Sequence, residues 1–455
     1  MRAQGQNAVR AFACLGGSVM RMPRLIAVAA IAWATLSSPA AALTEIHWWH
    51  AMPGELGREV ERLASDFNLS QSAYKVIPTY KGLYTETMTA ALFALRSKQH
   101  PAILQAAEVA TATMMASKGV VYPVHQLMRE QGMELAPDAF LPAVAGYYSD
   151  NGQLLSFPFN ASTPILYYNK DQFRLAGLDP DKAPATWPEV EAAARKLAEK
   201  KIPCGLTTGW PSWINVENFS AFHNLPIASQ DNGMGGTGAR LQFNNLVVTG
   251  HLSTLVEWQK NGWFDYSGRT NDAERRFYKS ECGILISSSA ARADIIANAS
   301  FEIGYGLLPY WPNVAGAPQN SIIGGGSLWV LRDRPEAEYK GVAAFLSFLS
   351  RPEVQAQWHQ WTGYLPTTHA AYEQTRALGF YERNPGTDIS IRQITLNPPT
   401  ANSRGLRLGS YVVIRDIIQE EIEDALAGRK SAKAALDNAV QRGNEVLIRF
   451  ETTDQ

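Results

Sequence analysis

The sequence predicts an α/β protein with two lobes. Two series of alternating strands and helices support this prediction, one before residue 156 and one after residue 171. Between them lies a polar segment, residues 156–171, in which two prolines punctuate the approach to a buried-looking strand. A segment of this kind is typical of a connector between lobes. The chain has 455 residues, of which 455 − 42 = 413 follow the leader predicted below, and at roughly 150 residues per domain this length gives two or three domains.

Residues 1–42 predict a cleaved export leader. Two arginines precede an apolar run over residues 25–36, and alanines at 40–42 supply small residues for cleavage. The run is too short to span a bilayer comfortably, and no later segment approaches about 20 uninterrupted apolar residues. We therefore expect an exported protein whose mature chain begins at Leu43.

Charge and cysteine content narrow the function classes. The leader removes four arginines and no acid, which leaves 37 basic against 42 acidic residues and a net charge of −5. With no basic run, the sequence gives no indication of a nucleic-acid partner. Cys204 and Cys282 remain in what should be an oxidising compartment, but their spacing does not decide whether they pair.

The first series of elements predicts a parallel sheet covered by helices. Strands are expected at residues 46–49, 76–77 and 101–105, with one amphipathic helix after each of the first two. The helical faces consist of Leu56, Val60, Leu63, Ala64 and Phe67 in the first helix, and Met88, Ala91, Leu92 and Leu95 in the second. The order strand, helix, strand favours parallel pairing.

The second series repeats this alternation. A helix ending at Gly177 comes first, and a second helix begins at Thr186, which stands in capping-box spacing with Glu189. The later predicted elements are strands at 205–208 and 283–287 and amphipathic helices at 410–427 and 431–449, separated by the helix stop Gly428. A second lobe is implied.

Two-lobed α/β proteins place ligands where the carboxyl ends of strands face the crevice. Glu108 follows the strand at 101–105, and three serines, residues 287–289, end the strand at 283–287 and open a predicted helix. Serine hydroxyls and free N–H groups at a helix start suit an anion. The alternative interpretation is that the serines simply cap the helix.

Two tryptophans and a glycine triplet allow two interpretations each. Trp210 and Trp213 follow a predicted strand and would serve either as apolar walls for a small polyol or as core fillers. The glycines at 324–326 lack the lysine and the strand-loop-helix context of a phosphate loop, which disfavours nucleotide binding. They fit a close approach of backbone to ligand about as well as a tight turn.

The sequence does not favour metal or hydrolase chemistry. His47 and His50 stand three apart in a predicted strand, so they should point to opposite faces and not share one metal ion. No serine-hydrolase elbow, zinc-protease motif or Cys-x-x-Cys pair occurs. A glycosidase with two distant carboxylates, such as Glu108 and Glu217, remains an open alternative.

Seven short motifs carry a resemblance that covers residues 44–450. They are WHAM at 49–52, GELG at 54–57, PTYKG at 78–82, TATMMASK at 111–118, GYYSD at 146–150, IIGG at 322–325 and GLRLG at 405–409. With these motifs the chain resembles the periplasmic sn-glycerol-3-phosphate-binding proteins of Ugp-type ABC importers, in extracellular solute-binding protein family 1. The resemblance implies a periplasmic-binding-protein fold of the maltose-binding-protein type (type II) with a hinge. The expected lobes are 43–158 with 305–350, and 159–304 with 351–455.

The resemblance also implies a set of ligand-binding residues. They are Tyr84, Glu108, Ser162, Trp210, Trp213, Ser288, Gly325, Tyr364 and Arg415. In the arrangement we expect, Arg415 supplies the cation for phosphate, while the serines, Tyr364 and the backbone at Gly325 donate hydrogen bonds. Glu108 would accept from the glycerol hydroxyls, together with Tyr84. Without the resemblance, Arg415 would be interpreted as an ordinary charge on a helix surface.

The implied function is that of a monomeric periplasmic receptor that captures sn-glycerol 3-phosphate, with glycerophosphodiesters as further candidates. It would deliver the ligand to the membrane permease subunits of an ABC importer, without catalysis, cofactor, metal or nucleic acid. Two alternatives stay open at this point. One is a binder of neutral oligosaccharides, which needs no cation in the cleft, and the other is an exported carbohydrate-active enzyme.

Overall fold

The computed structural model describes residues 43–453, so the predicted leader lies outside the described residues. Twelve strands occur in the described part of the chain. They are β1 (Thr44–His50), β2 (Tyr74–Tyr80), β3 (Ile103–Ala107), β4 (Val121–Tyr122), β5 (Ser149–Asp150), β6 (Gln153–Leu154), β7 (Phe157–Ser162), β8 (Pro164–Asn169), β9 (Cys204–Thr208), β10 (Cys282–Ser288), β11 (Ile303–Gly306) and β12 (Gly324–Leu331). The strands predicted from the sequence all fall within or next to these elements.

The helices between the strands cover both sheets. Those of residues 43–453 are α1 (Gly54–Ser70), α2 (Tyr84–Arg96), α3 (Thr111–Ala116), α4 (Val124–Glu130), α5 (Pro142–Tyr148), α6 (Lys170–Leu175), α7 (Trp187–Glu199), α8 (Phe219–Phe222), α9 (Ser229–Asn232), α10 (Leu246–Lys260), α11 (Asp272–Tyr278), α12 (Arg292–Asn298), α13 (Glu336–Leu349), α14 (Pro352–Thr362), α15 (His369–Ala377), α16 (Phe380–Arg383), α17 (Ile389–Ile394), α18 (Tyr411–Leu426) and α19 (Ala432–Thr453). A π-helix spans Trp213–Asn218, and short 3₁₀ helices span Glu108–Ala110, Pro137–Ala139 and Ser289–Ala291. The predicted capping box is present at the start of α7. None of the described helices is both long enough and apolar enough to cross a bilayer.

Two large mixed sheets organise the chain. The first has the strand order β2-β1-β3-β12-β4, with β7 also paired to β12, and the second has the order β11-β8-β10-β9. The prediction of parallel pairing holds for β1, β2 and β3 and for β9 with β10. The sequence predicts no strand at β12 and no direction for β8, and these strands pair antiparallel: β12 with β3, β4 and β7, and β8 with β10 and β11. The strand β12 enters the first sheet from the other half of the chain, so its direction does not follow from a local helical crossover.

The chain passes between the two sheets within the segment predicted as a connector. The strand β7 belongs to the first sheet and β8 to the second, with Thr163 alone between them. A second passage, between β11 and β12, includes Ser321. Gln393 donates hydrogen bonds to both Thr163 Oγ1 (2.9 Å) and Ser321 Oγ (3.1 Å). The two passages are therefore held together by one buried amide. The lobe boundaries proposed from the sequence remain a prediction.

Each large sheet has a core of its own. Beside the first sheet, the Trp48 ring makes edge contact with Phe159 and a tilted contact with Phe345. Beside the second, Trp258 and Phe264 are almost fully buried among the residues that α7, α10 and α18 contribute. Such aromatic side chains supply much of the burial that stabilises each half.

The two cysteines of the predicted mature chain form a disulfide bond. Cys204 and Cys282 are register partners at the first positions of the parallel strands β9 and β10, and both are fully buried. The bond joins residues 78 positions apart. The bond therefore links β9 and β10 where these strands begin. Trp210 follows the other end of β9, and Ser288 is the last residue of β10.

Replacing both cysteines with alanine should lower the free energy of unfolding by about 2 to 4 kcal/mol, because the bond restricts a long loop of the unfolded chain. Urea unfolding of the variant and the oxidised wild type measures this difference. Wild-type protein unfolded in the presence of a reductant serves as the control and should approach the variant. Equal unfolding midpoints for all three samples would contradict the prediction.

Candidate functional site

The nine residues predicted to bind ligand all line one cleft of about 700 Å³. They are Tyr84, Glu108, Ser162, Trp210, Trp213, Ser288, Gly325, Tyr364 and Arg415. Most of them stand where an element of one of the two sheets begins or ends. The geometry brings the whole set together, while the ligand-binding role of each residue remains a proposal.

Strand ends place the polar side chains of the cleft. Ser162 is the last residue of β7 and Ser288 the last of β10, and the N–H of Ser289 donates to the carbonyl of Thr163 (2.9 Å). Glu108 follows β3 directly. The strand-end rule applied to the sequence therefore located Glu108 and Ser288 correctly in the cleft.

A buried ion cluster borders the cleft through Glu108 and Arg415. Arg415 donates from Nε to Glu217 Oε1 (2.9 Å) and from Nη2 to Glu217 Oε2 (2.6 Å). The same Nη2 donates to Glu108 Oε1 (2.7 Å). The side chain of Arg415 is 16% exposed, and those of Glu108 and Glu217 are 4% and 0% exposed. The guanidinium that we expected to be free for phosphate is therefore already paired with two carboxylates.

Burial and pairing act in opposite directions on these groups. Burial raises the pKa of Glu108, and the nearby guanidinium of Arg415 opposes that rise. The two carboxylates hold the pKa of Arg415 above its ordinary value despite burial. Arg415 is thus a permanent cation, and the cluster carries no excess of positive charge for an anion to use.

The sequence suggests only one role for Glu217, as one of the two carboxylates of a possible glycosidase. It lies on the π-helix Trp213–Asn218, and Ser212 Oγ donates to its Oε1 (2.9 Å). Because Glu217 and Glu108 bind the same guanidinium, their carboxylates serve to hold Arg415. A wide turn such as a π-helix is common at functional sites but has no simple sequence pattern, which is why this role was missed.

The two tryptophans form a wall of the cleft. Trp213 begins the π-helix and is only 5% exposed, and Trp210 has a left-handed backbone (φ 46°). A side chain on Gly324 would overlap the indole of Trp213. The two interpretations of Trp213 are thus compatible, because one face packs in the core while the ring also borders the cleft.

Uncharged donors also line the cleft, beside the carboxylates. Gln105 donates to Asn160 (2.8 Å), which in turn donates to the hydroxyl of Tyr84 (2.9 Å). The Tyr84 and Tyr364 hydroxyls are also hydrogen-bond partners, and the Tyr364 hydroxyl donates to Met52 Sδ (3.2 Å), so a ligand would exchange with these contacts. Burial raises the pKa of Tyr84 and of Tyr364, so both hydroxyls keep their protons at neutral pH.

Ser288 and Gly325 are further donors in the cleft. The Ser288 hydroxyl accepts from the N–H of Ala290 (3.2 Å), as the capping interpretation predicted, and its proton is free to be donated. Gly325 has φ 101°, and a side chain there would overlap the carbonyl oxygen of Asn160. Glycine is therefore required at this position, and it leaves the backbone accessible from the cleft.

The cleft is also lined by two charged residues that sequence analysis did not select. Glu274 on α11 and Asp294 on α12 both border it. The burial of Ala273 and Phe277 on α11 puts Glu274 on the buried face of that helix, and this spacing could have revealed Glu274 in the sequence.

His47 and His50 lie on opposite faces of β1, as predicted. Among residues 43–453, no group of three or more acidic, histidine or cysteine side chains is arranged to hold a metal ion.

Comparison with known proteins gives a consistent result. Residues 62–386 match the model of the family described as bacterial extracellular solute-binding protein. The sn-glycerol-3-phosphate-binding periplasmic protein UgpB of Yersinia pseudotuberculosis is 48% identical over 423 residues, which is 92% of this chain and 96% of that protein. The protein of the same name from Escherichia coli O6:K15:H31 is 49% identical over 418 residues, 91% of this chain and 95% of that protein.

Solved structures support the fold. UgpB from Mycobacterium tuberculosis in complex with glycerophosphocholine is similar with a TM-score of 0.74 and 21% identity, over 89% of this chain and 98% of that chain. Maltose-bound MalE3 of T. maritima is similar with a TM-score of 0.71 and 17% identity, over 89% of this chain and 100% of that chain. The predicted α/β periplasmic-binding-protein fold with maltose-binding neighbours is thereby confirmed.

Replacing Arg415 with methionine should lower the free energy of unfolding by about 3 to 5 kcal/mol, because it leaves two buried carboxylates without their partner. Urea unfolding of the ligand-free protein measures the loss. As a control, Arg415→Met combined with Glu108→Gln and Glu217→Gln removes all three charges and should recover at least half of it. If Arg415→Met were as stable as wild type, the charge of Arg415 would not be what stabilises the buried carboxylates of Glu108 and Glu217.

Proposed function

Since the chain belongs to the bacterial extracellular solute-binding proteins, we propose that it is a periplasmic receptor that captures sn-glycerol 3-phosphate and delivers it to a membrane ABC importer. The observation that carries this proposal is the identity of 48–49%, over more than nine tenths of both chains, to periplasmic proteins named for that ligand. The family consists of transport receptors, so the ligand is bound and released unchanged. The export leader predicted at residues 1–42 supports a periplasmic location.

The uncharged donors of the cleft are the groups that we propose for phosphate. Hydroxyls of Ser162, Ser288, Tyr84 and Tyr364 and the backbone at Gly325 line the cleft, and hydrogen bonds to an ionised acceptor are about twice as strong as neutral ones. A phosphate dianion beside Glu108 would meet repulsion of about 4 kcal/mol per unit-charge pair at 4 Å with an effective dielectric constant near 20. Phosphate is therefore better placed away from the ion cluster.

The ion cluster suits the glycerol hydroxyls. Glu108 offers carboxylate oxygens as acceptors, and Arg415 offers N–H donors whose charge is already compensated by Glu217. A hydroxyl can both donate and accept, so it fits such a pair without adding charge. The indoles of Trp210 and Trp213 would contact the carbon-bound hydrogens. We thus revise the role expected for Arg415 from phosphate binding to hydroxyl recognition.

Closure of two lobes around the ligand would produce the form that the permease subunits recognise. In this structure the cluster joins elements of both cores, because Glu108 extends β3 of the first sheet and α18 packs in the core of the second. Shifting an open-closed equilibrium from 1:99 to 99:1 takes about 5.5 kcal/mol of differential affinity. Micromolar binding corresponds to roughly 8 kcal/mol, so ligand binding can drive the change. The proposed receptor acts as a monomer.

A ligand panel distinguishes this proposal from its alternatives. sn-Glycerol 3-phosphate should raise the melting temperature of the protein in a concentration-dependent manner, because it binds the native state alone. Glycerol, inorganic phosphate and maltose at equal concentration should not, and glycerophosphocholine tests whether diesters are accepted. A shift with maltose alone would favour the neutral-oligosaccharide alternative, and catalytic release of phosphate or sugar would favour an enzyme.

Serine-to-alanine variants test the position proposed for phosphate. Ser162→Ala and Ser288→Ala should each weaken sn-glycerol 3-phosphate binding about 10- to 100-fold, since each removes a hydrogen bond to a charged group worth about 1.5 to 3 kcal/mol. Isothermal titration calorimetry measures the affinity. Ser253→Ala, on the exposed face of α10, is the matched control and should bind like wild type. Undiminished affinity in both cleft variants would move the phosphate to another part of the cleft.

A further inference from the structure

One carboxyl group of the cleft has no compensating cation. Glu274 is 3% exposed and lines the same cleft as Ser288 and Tyr364. Ser287 Oγ donates to its Oε1 (2.8 Å). No lysine, arginine or histidine among residues 43–453 forms an ion pair with it. A buried carboxylate in this situation is costly unless it takes up a proton.

The other carboxyl groups at the cleft are compensated in different ways. Glu108 and Glu217 share the guanidinium of Arg415. Asp294 accepts from the N–H of Glu55 (3.2 Å) in the first turn of α1, where the helix dipole favours negative charge. Glu274 has neither kind of support, so the function proposed for the other groups does not explain it.

Apart from the Ser287 hydroxyl, which favours the ionised form, the groups that face Glu274 favour its neutral form or leave it unchanged. Asp294 on α12 is the charged neighbour, and it repels an ionised Glu274. Tyr167 on β8 and Tyr364 after α14 are the other titratable neighbours, and burial keeps both protonated. Burial, reinforced by Asp294 and opposed by the Ser287 hydrogen bond, raises the pKa of Glu274 to about 8.

We propose that Glu274 is a specificity-determining residue that enters the bound complex as a neutral carboxylic acid and donates its O–H to a phosphate oxygen of the ligand. This inference rests on the proposed function. The Ser287 bond fixes Oε1 as an acceptor, so the proton resides on Oε2. When Glu274 is ionised in the free protein, the proton comes from solvent as the ligand binds. Above the pKa of Glu274 in the free protein, the receptor therefore captures a phosphate dianion together with a proton, and below it the proton is already in place.

The proposal explains how an acidic cleft accepts a dianion. An ionised Glu274 would repel phosphate, whereas the neutral acid adds a donor to the uncharged donors of the cleft. Affinity should then depend on pH with a definite sign. Binding is strongest below the pKa of Glu274 in the free protein and weakens as pH rises above about 8, because the proton must first be taken up.

Calorimetry of sn-glycerol 3-phosphate binding between pH 7 and pH 9, in two buffers of different ionisation enthalpy, tests the proposal. Wild type should take up about half a proton per ligand at pH 8 and close to one at pH 9, and its Kd should rise roughly tenfold from pH 7 to pH 9. The second pKa of a phosphomonoester is about 6, so the ligand itself does not titrate in this range. Binding without proton uptake would overturn the inference but leave the proposed function intact.

Two variants isolate the contribution of Glu274. Glu274→Gln keeps a neutral donor of the same size, so it should bind with near-wild-type affinity at pH 7, without proton uptake and with little change up to pH 9. Asp272→Asn changes an exposed carboxylate on the same helix and should retain the wild-type proton uptake. Proton uptake that persists in Glu274→Gln would overturn the inference. Absence of any binding by wild type at every pH would instead overturn both this inference and the proposed function.

Discussion

The compensated ion cluster of Arg415, Glu217 and Glu108 is the constraint on which the cleft depends. Taking an ion out of water costs several kcal/mol even after the protein relaxes, so none of the three side chains is tolerated there without the others. Each comes from a separate element: α18, the π-helix and the end of β3. The three elements must therefore meet before the charges are compensated, which ties the cleft geometry to the packing of both halves.

The same constraint gives the cleft two chemically different groups of side chains. Because Glu217 holds Arg415 through two hydrogen bonds, the guanidinium is a rigid donor with little net charge to offer. An anion gains little at the ion cluster, while a hydroxyl finds both an acceptor and a donor there. The other group consists of hydroxyl and backbone donors without fixed charge, and Glu274, which lines the same cleft, is most easily accommodated in the neutral form. A ligand with hydroxyl groups and an anionic group can use both groups of side chains.

Sequence analysis predicted the class of fold and the residues of the cleft better than their partners. Alternating patterns are local, so they predict the central strands β1, β2, β3, β9 and β10 and the long helices α1, α2, α7, α18 and α19, and the ends of strands identified Glu108 and Ser288 as cleft residues. The pairing of Arg415 joins side chains 198 and 307 positions apart, and no local pattern encodes it. The antiparallel entry of β12 and the Cys204–Cys282 bond are long-range in the same sense. The remaining cleft residues came from a family resemblance, which transfers positions but not hydrogen-bond geometry.

The position of the connectors gives the cleft a direct influence on the hinge. Ser162 immediately precedes Thr163, the single residue between the two sheets, and Gly325 is the second residue of β12, which follows the other passage. Gln393 fastens the two passages to each other. A ligand that draws on both Ser162 and Gly325 therefore contacts the segments about which the halves would rotate. In the proposed receptor, such a ligand would stabilise the closed form at these segments as well as across the ion cluster.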